Sequence, residues 1–224
     1  MKKNDIIHVY FMPGMAASPN IFERIKLPEN QFKVHFLEWI IPTKNEPMIS
    51  YVSRLAKQQI SHQNIVLIGV SFGGVIVQEL SKIINTRKLI IVSSVKSNKE
   101  LPKRMKFAKI TKFYKLAPTK LASNIDLLSK YALGKQVSKR IELYKTYLSV
   151  NNEQYLKWAI KNMVCWKQTE YSPDITHIHG DADTVFPIKN ISNCKTIKGG
   201  THVMILNKYK WFNENLPTII LNSY

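Results

Sequence analysis

Residues 65–80 read IVLIGVSFGGVIVQEL, and this stretch decides the fold. The apolar, β-branched run Ile65–Ile68 predicts a buried strand, and the pattern from about Gly73 to Ile84 predicts a helix. A tight turn, GVSFGG at residues 69–74, joins the two. A G-x-S-x-G string between a strand and a helix is typical of a nucleophile elbow, in which the serine, here Ser71, projects above the sheet.

The glycines of this turn have a physical reason. Ser71 would need a strained backbone conformation to present its hydroxyl, and a side chain at Gly69 or Gly73 would collide with neighbouring backbone. The helix that follows points its N-terminus at the turn, which favours a developing negative charge there. The alternative is a purely structural Gly-rich turn.

Strands and helices alternate on both sides of this unit. Further strands are predicted at residues 5–12, 32–40, 88–93, 175–179 and 194–198, and further helices at residues 49–62 and from about His202 to Asn213. Such alternation predicts an α/β fold with a mostly parallel central sheet flanked by helices.

The alternation stops between residues 98 and 167, where apolar residues recur at helical spacing and no strand is evident. We interpret residues 98–167 as a helical lid inserted into a core formed by residues 1–97 and 168–224. Such a lid would cover the carboxyl ends of the strands, where open α/β sheets place their sites.

The elbow and its setting resemble the α/β-hydrolase family, in particular its small, lid-bearing serine esterases and thioesterases, over nearly the whole chain. In that family an acid and then a histidine follow the serine along the chain. Residues 179–187, HGDADTVFP, resemble the family's acid loop, and the matching position implies Asp183 as the acid. Asp181 is the competing carboxylate and is interpreted as a loop-capping or surface group.

Residues 199–202, GGTH, resemble the family's histidine loop and imply His202 as the general base. The other histidines are interpreted as structural: His8, His35, His62, His177 and His179.

The resemblance also implies an oxyanion hole of two backbone N–H groups. One would come from Phe72, the residue after the serine. The other would come from the loop after the first strand, where Met15 matches the position one past Gly14. The family often has His-Gly in this loop, whereas this chain has Pro13-Gly14.

The sequence lacks the motifs of cofactor-dependent and metal-dependent chemistry. The sequence shows no phosphate-binding loop, no dinucleotide-binding glycine signature and no metal-ligand spacing, so no cofactor and no metal site are predicted. Cys165 and Cys194 are too few for a disulfide framework and are predicted to be reduced thiols. No run of apolar residues is long enough to span a membrane, and a cytoplasmic location is expected.

The formal net charge of +18 is concentrated in residues 96–145, which contain 14 Lys or Arg and only three acidic residues. The favoured hypothesis is a serine hydrolase for a small-molecule carboxylic ester or thioester, whose lid lysines could attract an anionic substrate such as an acyl-CoA. The alternative is a non-catalytic protein that uses a basic lid to contact nucleic acid or an anionic surface. The serine, acid and histidine in family order favour the enzyme.

Overall fold

The computed structural model of the chain describes residues 6–117, 119 and 147–222. These residues contain a six-stranded sheet with the order β2-β1-β3-β4-β5-β6, in which all strand pairs are parallel. The strands are β1 Ile7–Met12, β2 Phe32–Phe36, β3 Ile65–Val70, β4 Lys88–Val92, β5 Ile175–Gly180 and β6 Lys195–Ile197. The predicted parallel α/β sheet is therefore confirmed.

Helices cover both faces of the sheet, and strands β1, β3 and β4 contribute apolar side chains to both sides. In β3, for example, Leu67 packs with one core cluster and Val66 with the other. The described helices are α1 Met48–Gln59, α2 Phe72–Leu80, α3 Lys103–Thr111, α4 Glu153–Val164, α5 Met204–Asn207 and α6 Tyr209–Leu221. Buried residues of α1, α2 and α4 belong to one cluster, and those of α5 and α6 belong to the other.

Several predicted elements end at other residues in the structure, among them one strand and the last helix. The strand predicted over residues 32–40 ends at Phe36. The Leu37 N–H still donates to the Phe11 carbonyl of β1, but beyond it the backbone bonds to side chains instead of a strand. The Glu38 N–H donates to Gln59 and the Ile40 N–H to the Tyr51 hydroxyl. The last helix continues beyond the predicted end at Asn213 to Leu221, despite an internal proline. Its buried side chains recur every four residues and hold it on the sheet: Phe212, Leu216 and Ile220.

The described part of the predicted lid, residues 98–117, 119 and 147–167, contains helices and no strand. Helix α4 packs into the same core cluster as α1 and α2. Trp158 contacts Tyr51, and the Trp158 indole N–H donates to the Glu46 carbonyl. Residues 118 and 120–146 lie outside the described residues, and the predicted lid boundaries, 98 and 167, stay a prediction.

Strand β5 and the loop after β6 approach each other without intervening side chains. A Cβ atom on Gly180 would collide with the carbonyl group of Gly200. The Ala182 N–H donates to that same Gly200 carbonyl at 3.0 Å. This contact fixes the loop that follows β5 against the loop that follows β6.

Strand β5 also carries two buried histidines in a defined hydrogen-bond chain. The Phe186 carbonyl can only accept, so His179 Nε2 donates to it at 2.8 Å. His179 Nδ1 is then the acceptor for His177 Nε2 at 3.1 Å. Burial, followed by the charges of His179 and Lys96, lowers the pKa of His177 well below its ordinary value.

We predict that Gly180→Ala lowers the free energy of unfolding by about 1–3 kcal/mol, the usual cost of forcing extra atoms into a packed site. Gly14→Ala is the matched control, because a Cβ atom at Gly14 would meet Ser71 Cβ at an ordinary 3.4 Å. Urea denaturation of both variants measures the difference. Equal stability of the two variants would show that the contact between Gly180 and Gly200 leaves room for a methyl group.

We also predict that the folded chain loses stability as the pH falls below about 6.5, the value for a histidine in an unfolded chain. Below this pH His177 is protonated in the unfolded chain but stays neutral in the folded chain. Above this pH the His177 ring is neutral in both states. His177→Gln keeps a donor for His179 and removes this titration. Denaturation at pH 7.5 and 5.5 should therefore show a smaller loss for the variant, and an equal loss would contradict the assignment.

Candidate active site

Ser71 lies at the turn between β3 and α2 in a strained backbone conformation, with φ 54° and ψ −121°. The turn is closed by direct backbone packing. A Cβ atom on Gly69 would collide with the Gly73 carbonyl, and one on Gly73 would collide with the carbonyls of Met12 and Pro13. The Ser94 hydroxyl donates to the Ser71 carbonyl at 2.7 Å and holds the turn from the side of β4.

His202 bridges Ser71 and Asp183 in a continuous hydrogen-bond chain. Its Nε2 lies 3.0 Å from Ser71 Oγ, and its Nδ1 lies 2.9 Å from Asp183 Oδ2. Ser71 is 131 positions from His202 along the chain, and Asp183 is 19 positions from it. The structure therefore brings together the serine, acid and histidine that the sequence predicted.

Asp183 is buried, and its second oxygen is also satisfied. Oδ1 accepts the N–H groups of Val185 at 2.8 Å and Phe186 at 2.9 Å. Burial acts to raise the pKa of this carboxyl. The hydrogen bond and charge of His202, together with the two N–H groups, outweigh it and lower the pKa below its ordinary value. Asp183 is thus ionised at neutral pH.

Asp181, the competing carboxylate, does not face His202. It is exposed, and its Oδ1 accepts the Gly199 N–H at 2.7 Å. Gly199 has a positive φ of 64°, so this bond caps a left-handed turn at the start of the histidine loop.

The loop predicted to supply an oxyanion donor is fixed by two aromatic residues. The Gly14 carbonyl accepts the Trp39 indole N–H at 3.0 Å, and the Ala16 N–H donates to the Tyr155 hydroxyl at 3.3 Å. Because a trans peptide points its C=O and the next N–H in opposite directions, the Met15 N–H faces away from Trp39. Phe72 is the first residue of α2, so its N–H has no acceptor within the helix.

Sequence reasoning did not single out Trp39, Tyr155 or Arg104, although each supports the site. Arg104 of α3 donates to the carbonyls of Thr184 and Val185, next to Asp183. These contacts span 25 to 139 positions along the chain, and no local pattern in the sequence signals them.

A cavity of about 540 Å³ opens beside Ser71 and His202. Its lining is largely apolar and includes Met15, Ile21, Met105, Leu148, Met163, Phe186 and Ile205. The sequence suggested Phe107, Phe113, Tyr114 and Tyr131 as lid residues that could line an acyl pocket. In the structure Phe107 and Phe113 are 65% and 64% exposed and Tyr114 does not line the cavity, whereas Tyr131 lies outside the described residues.

No metal site was predicted, but the structure brings three of the histidines interpreted as structural close together. His8, His35 and His62 can each offer one ring nitrogen, and these nitrogens lie within 4.8 Å of one another. Among the described helices, none is long and apolar enough to cross a membrane.

No protein-family model and no curated protein sequence matches this chain. Solved structures do resemble it. A bromoperoxidase from Bacillus anthracis is 19% identical, with a TM-score of 0.63 and coverage of 98% of this chain and 93% of that chain. A thermophilic esterase from Thermogutta terrifontis is 14% identical, with a TM-score of 0.63 and coverage of 96% and 89%. The RedJ thioesterase of the prodiginine pathway in Streptomyces coelicolor is 13% identical, with a TM-score of 0.58 and coverage of 95% and 85%. These similarities show that the chain has the α/β-hydrolase fold.

Proposed function

We propose that this protein is a serine hydrolase that cleaves a carboxylic ester or thioester through an acyl-enzyme intermediate. The observation that carries the proposal is the hydrogen-bond chain Ser71–His202–Asp183, which ends at an apolar cavity. A serine hydroxyl is a weak nucleophile, and a histidine within hydrogen-bonding distance is the usual means of activating it.

In this mechanism His202 Nε2 accepts the Ser71 proton while Ser71 Oγ attacks the carbonyl carbon of the substrate. His202 then donates that proton to the departing alcohol or thiol, and water hydrolyses the acyl-enzyme by the same steps in reverse. Asp183 Oδ2 accepts a hydrogen bond from His202 Nδ1–H, so it fixes the tautomer and stabilises the imidazolium without being protonated itself. Its lowered pKa supports this role, because the carboxylate stays charged at neutral pH.

The proposed oxyanion hole consists of the N–H groups of Phe72 and Met15. Phe72 follows the nucleophile at the N-terminus of α2, where the helix dipole adds positive potential. The Met15 N–H is supported by the orientation of its peptide, which Trp39 fixes through the Gly14 carbonyl.

The apolar lining of the cavity favours a small or medium acyl group. At about 540 Å³ the cavity falls in the range of ordinary ligand pockets. The esterase and thioesterase among the similar structures agree with acyl transfer. The similarity to a bromoperoxidase adds halide oxidation as a reaction to be tested beside it.

A second candidate function follows from the surface of α3 and the residues after it. Phe107, Ile110, Phe113 and Leu116 are exposed among lysines, the arrangement expected of a surface that binds nucleic acid or an anionic surface. The Ser71 hydrogen-bond chain favours the hydrolase as the main function.

We predict that Ser71→Ala and Asp183→Asn each reduce hydrolysis of p-nitrophenyl esters or acyl-CoA thioesters by several orders of magnitude, as removal of triad residues does. Asp181→Asn is the matched control and should keep most of the activity, because an amide oxygen still accepts the Gly199 N–H. Circular dichroism checks that the variants are folded. If Ser71→Ala kept more than about a tenth of the activity, or if the wild type oxidised bromide with peroxide and cleaved no ester, the proposal would fail.

We predict that the basic surface assists the capture of an anionic substrate. Raising the ionic strength should then lower kcat/KM for an acyl-CoA and leave a neutral ester almost unchanged, because salt screens long-range attraction. Equal salt dependence for both substrates would contradict substrate steering. Sub-micromolar DNA binding at physiological salt, tighter than non-specific contacts give, would favour the second candidate.

A further inference from the structure

His8, His35 and His62 converge from three separate segments near the amino-terminal ends of β1 and β3. His8 is on β1, His35 is on β2, and His62 lies between α1 and β3. His35 pairs in register with Tyr10, and His8 is two residues before Tyr10, so both rings are on the same face of the sheet. All three histidines are half-buried, which leaves their rings accessible from solvent.

The rings already interact with one another. His8 Nδ1 lies 2.9 Å from His35 Nε2, and the His8 and His62 rings stack with centroids 3.9 Å apart. The Tyr10 hydroxyl lies 2.5 Å from His62 Nδ1, and Tyr10 also stacks on His35. Three imidazoles, two of which contact the same tyrosine, form a cluster that contains no carboxylate.

We propose that His8, His35 and His62 form a binding site for a divalent transition-metal ion, with Zn²⁺ as the best match. Imidazole nitrogens suit zinc, copper and nickel, and three of them leave a fourth position for water. Zn–N bonds of about 2.0–2.1 Å in tetrahedral geometry place the nitrogens about 3.3 Å apart. The nitrogens here lie within 4.8 Å of one another, so metal binding requires the stacked rings to turn until their lone pairs converge.

The surroundings of the cluster agree with this assignment. If His62 Nδ1–H donates to the Tyr10 hydroxyl, His62 Nε2 presents its lone pair, as in the outer-shell bonds of other metal-bound histidines. The positive charge of Lys33 disfavours a metal ion bound nearby. Lys33 is exposed, however, and its ammonium group can turn towards water.

The site is separate from the proposed hydrolase chemistry. His8 is in register with Ile65 at the start of β3, whereas Ser71 follows the end of that strand. Six residues of strand correspond to roughly 20 Å. A metal here would link β2, the edge strand of the sheet, to β1 and to the segment before β3, and its expected effect is on stability.

The test is a Zn²⁺ titration of tag-free, chelator-treated full-length protein by isothermal calorimetry, with Mg²⁺ as the control ion. We expect one Zn²⁺ per chain, a rise in Tm with Zn²⁺ and none with Mg²⁺. Substitution with Co²⁺ should give the intense visible absorption of a tetrahedral site. His8→Gln, His35→Gln and His62→Gln should each weaken Zn²⁺ binding at least tenfold.

His202→Gln is the matched control, because it removes a histidine outside the cluster and should leave the affinity and stoichiometry unchanged. His62→Gln lies outside the strands, and Tyr10→Phe removes only the hydroxyl, so these variants test the site even if the strand variants fail to fold. Tyr10→Phe should weaken binding about 10–100-fold, the usual effect of losing an outer-shell partner. Absence of saturable Zn²⁺ binding, or binding that persists in His62→Gln and is lost in His202→Gln, would overturn the proposal.

Discussion

The backbone contact between the Ser71 turn and the end of β1 is the constraint on which the rest of the site depends. Ser71 has a positive φ that a side-chain-bearing residue adopts only at a cost of about 1–3 kcal/mol, and the packing of Gly73 on Met12 and Pro13 compensates for it. The same contact places the loop that contains Gly14 beside the serine. One close approach therefore positions both the proposed nucleophile and one of the proposed oxyanion donors.

A second backbone contact positions the other two residues of the chain. Gly180 of β5 packs on Gly200, so the acid loop and the histidine loop leave the sheet side by side. Asp183 then meets His202 over 2.9 Å. The site is precise because it is built on parallel strands that end at one edge, where glycines allow the loops to touch.

The sequence was sufficient to predict the parts whose signals are local. The β3–turn–α2 unit, the order of the strands along the chain, and the serine, acid and histidine that meet in the structure all follow from short patterns or from the family resemblance they support. The ends of β2 and α6 were misplaced because side-chain acceptors from α1 and the buried face of α6 decide them. Trp39, Tyr155 and Arg104 were missed for the same reason, since their partners are distant in sequence.

The histidine cluster was also not predicted, because its residues are distant from one another in sequence. Each of His8, His35 and His62 has an ordinary place in its own segment, and intervals of 27 residues match no metal-binding motif. A parallel sheet nevertheless puts positions from successive βα units next to each other, so residues one unit apart in sequence become neighbours in space. The regular succession of β1, β2, α1 and β3 therefore assembles a nitrogen-rich cluster at one end of the sheet, while the loops at the other end assemble the serine site. The proposed metal site depends on which side chains the strands bring into register, and no short motif in the sequence signals that arrangement.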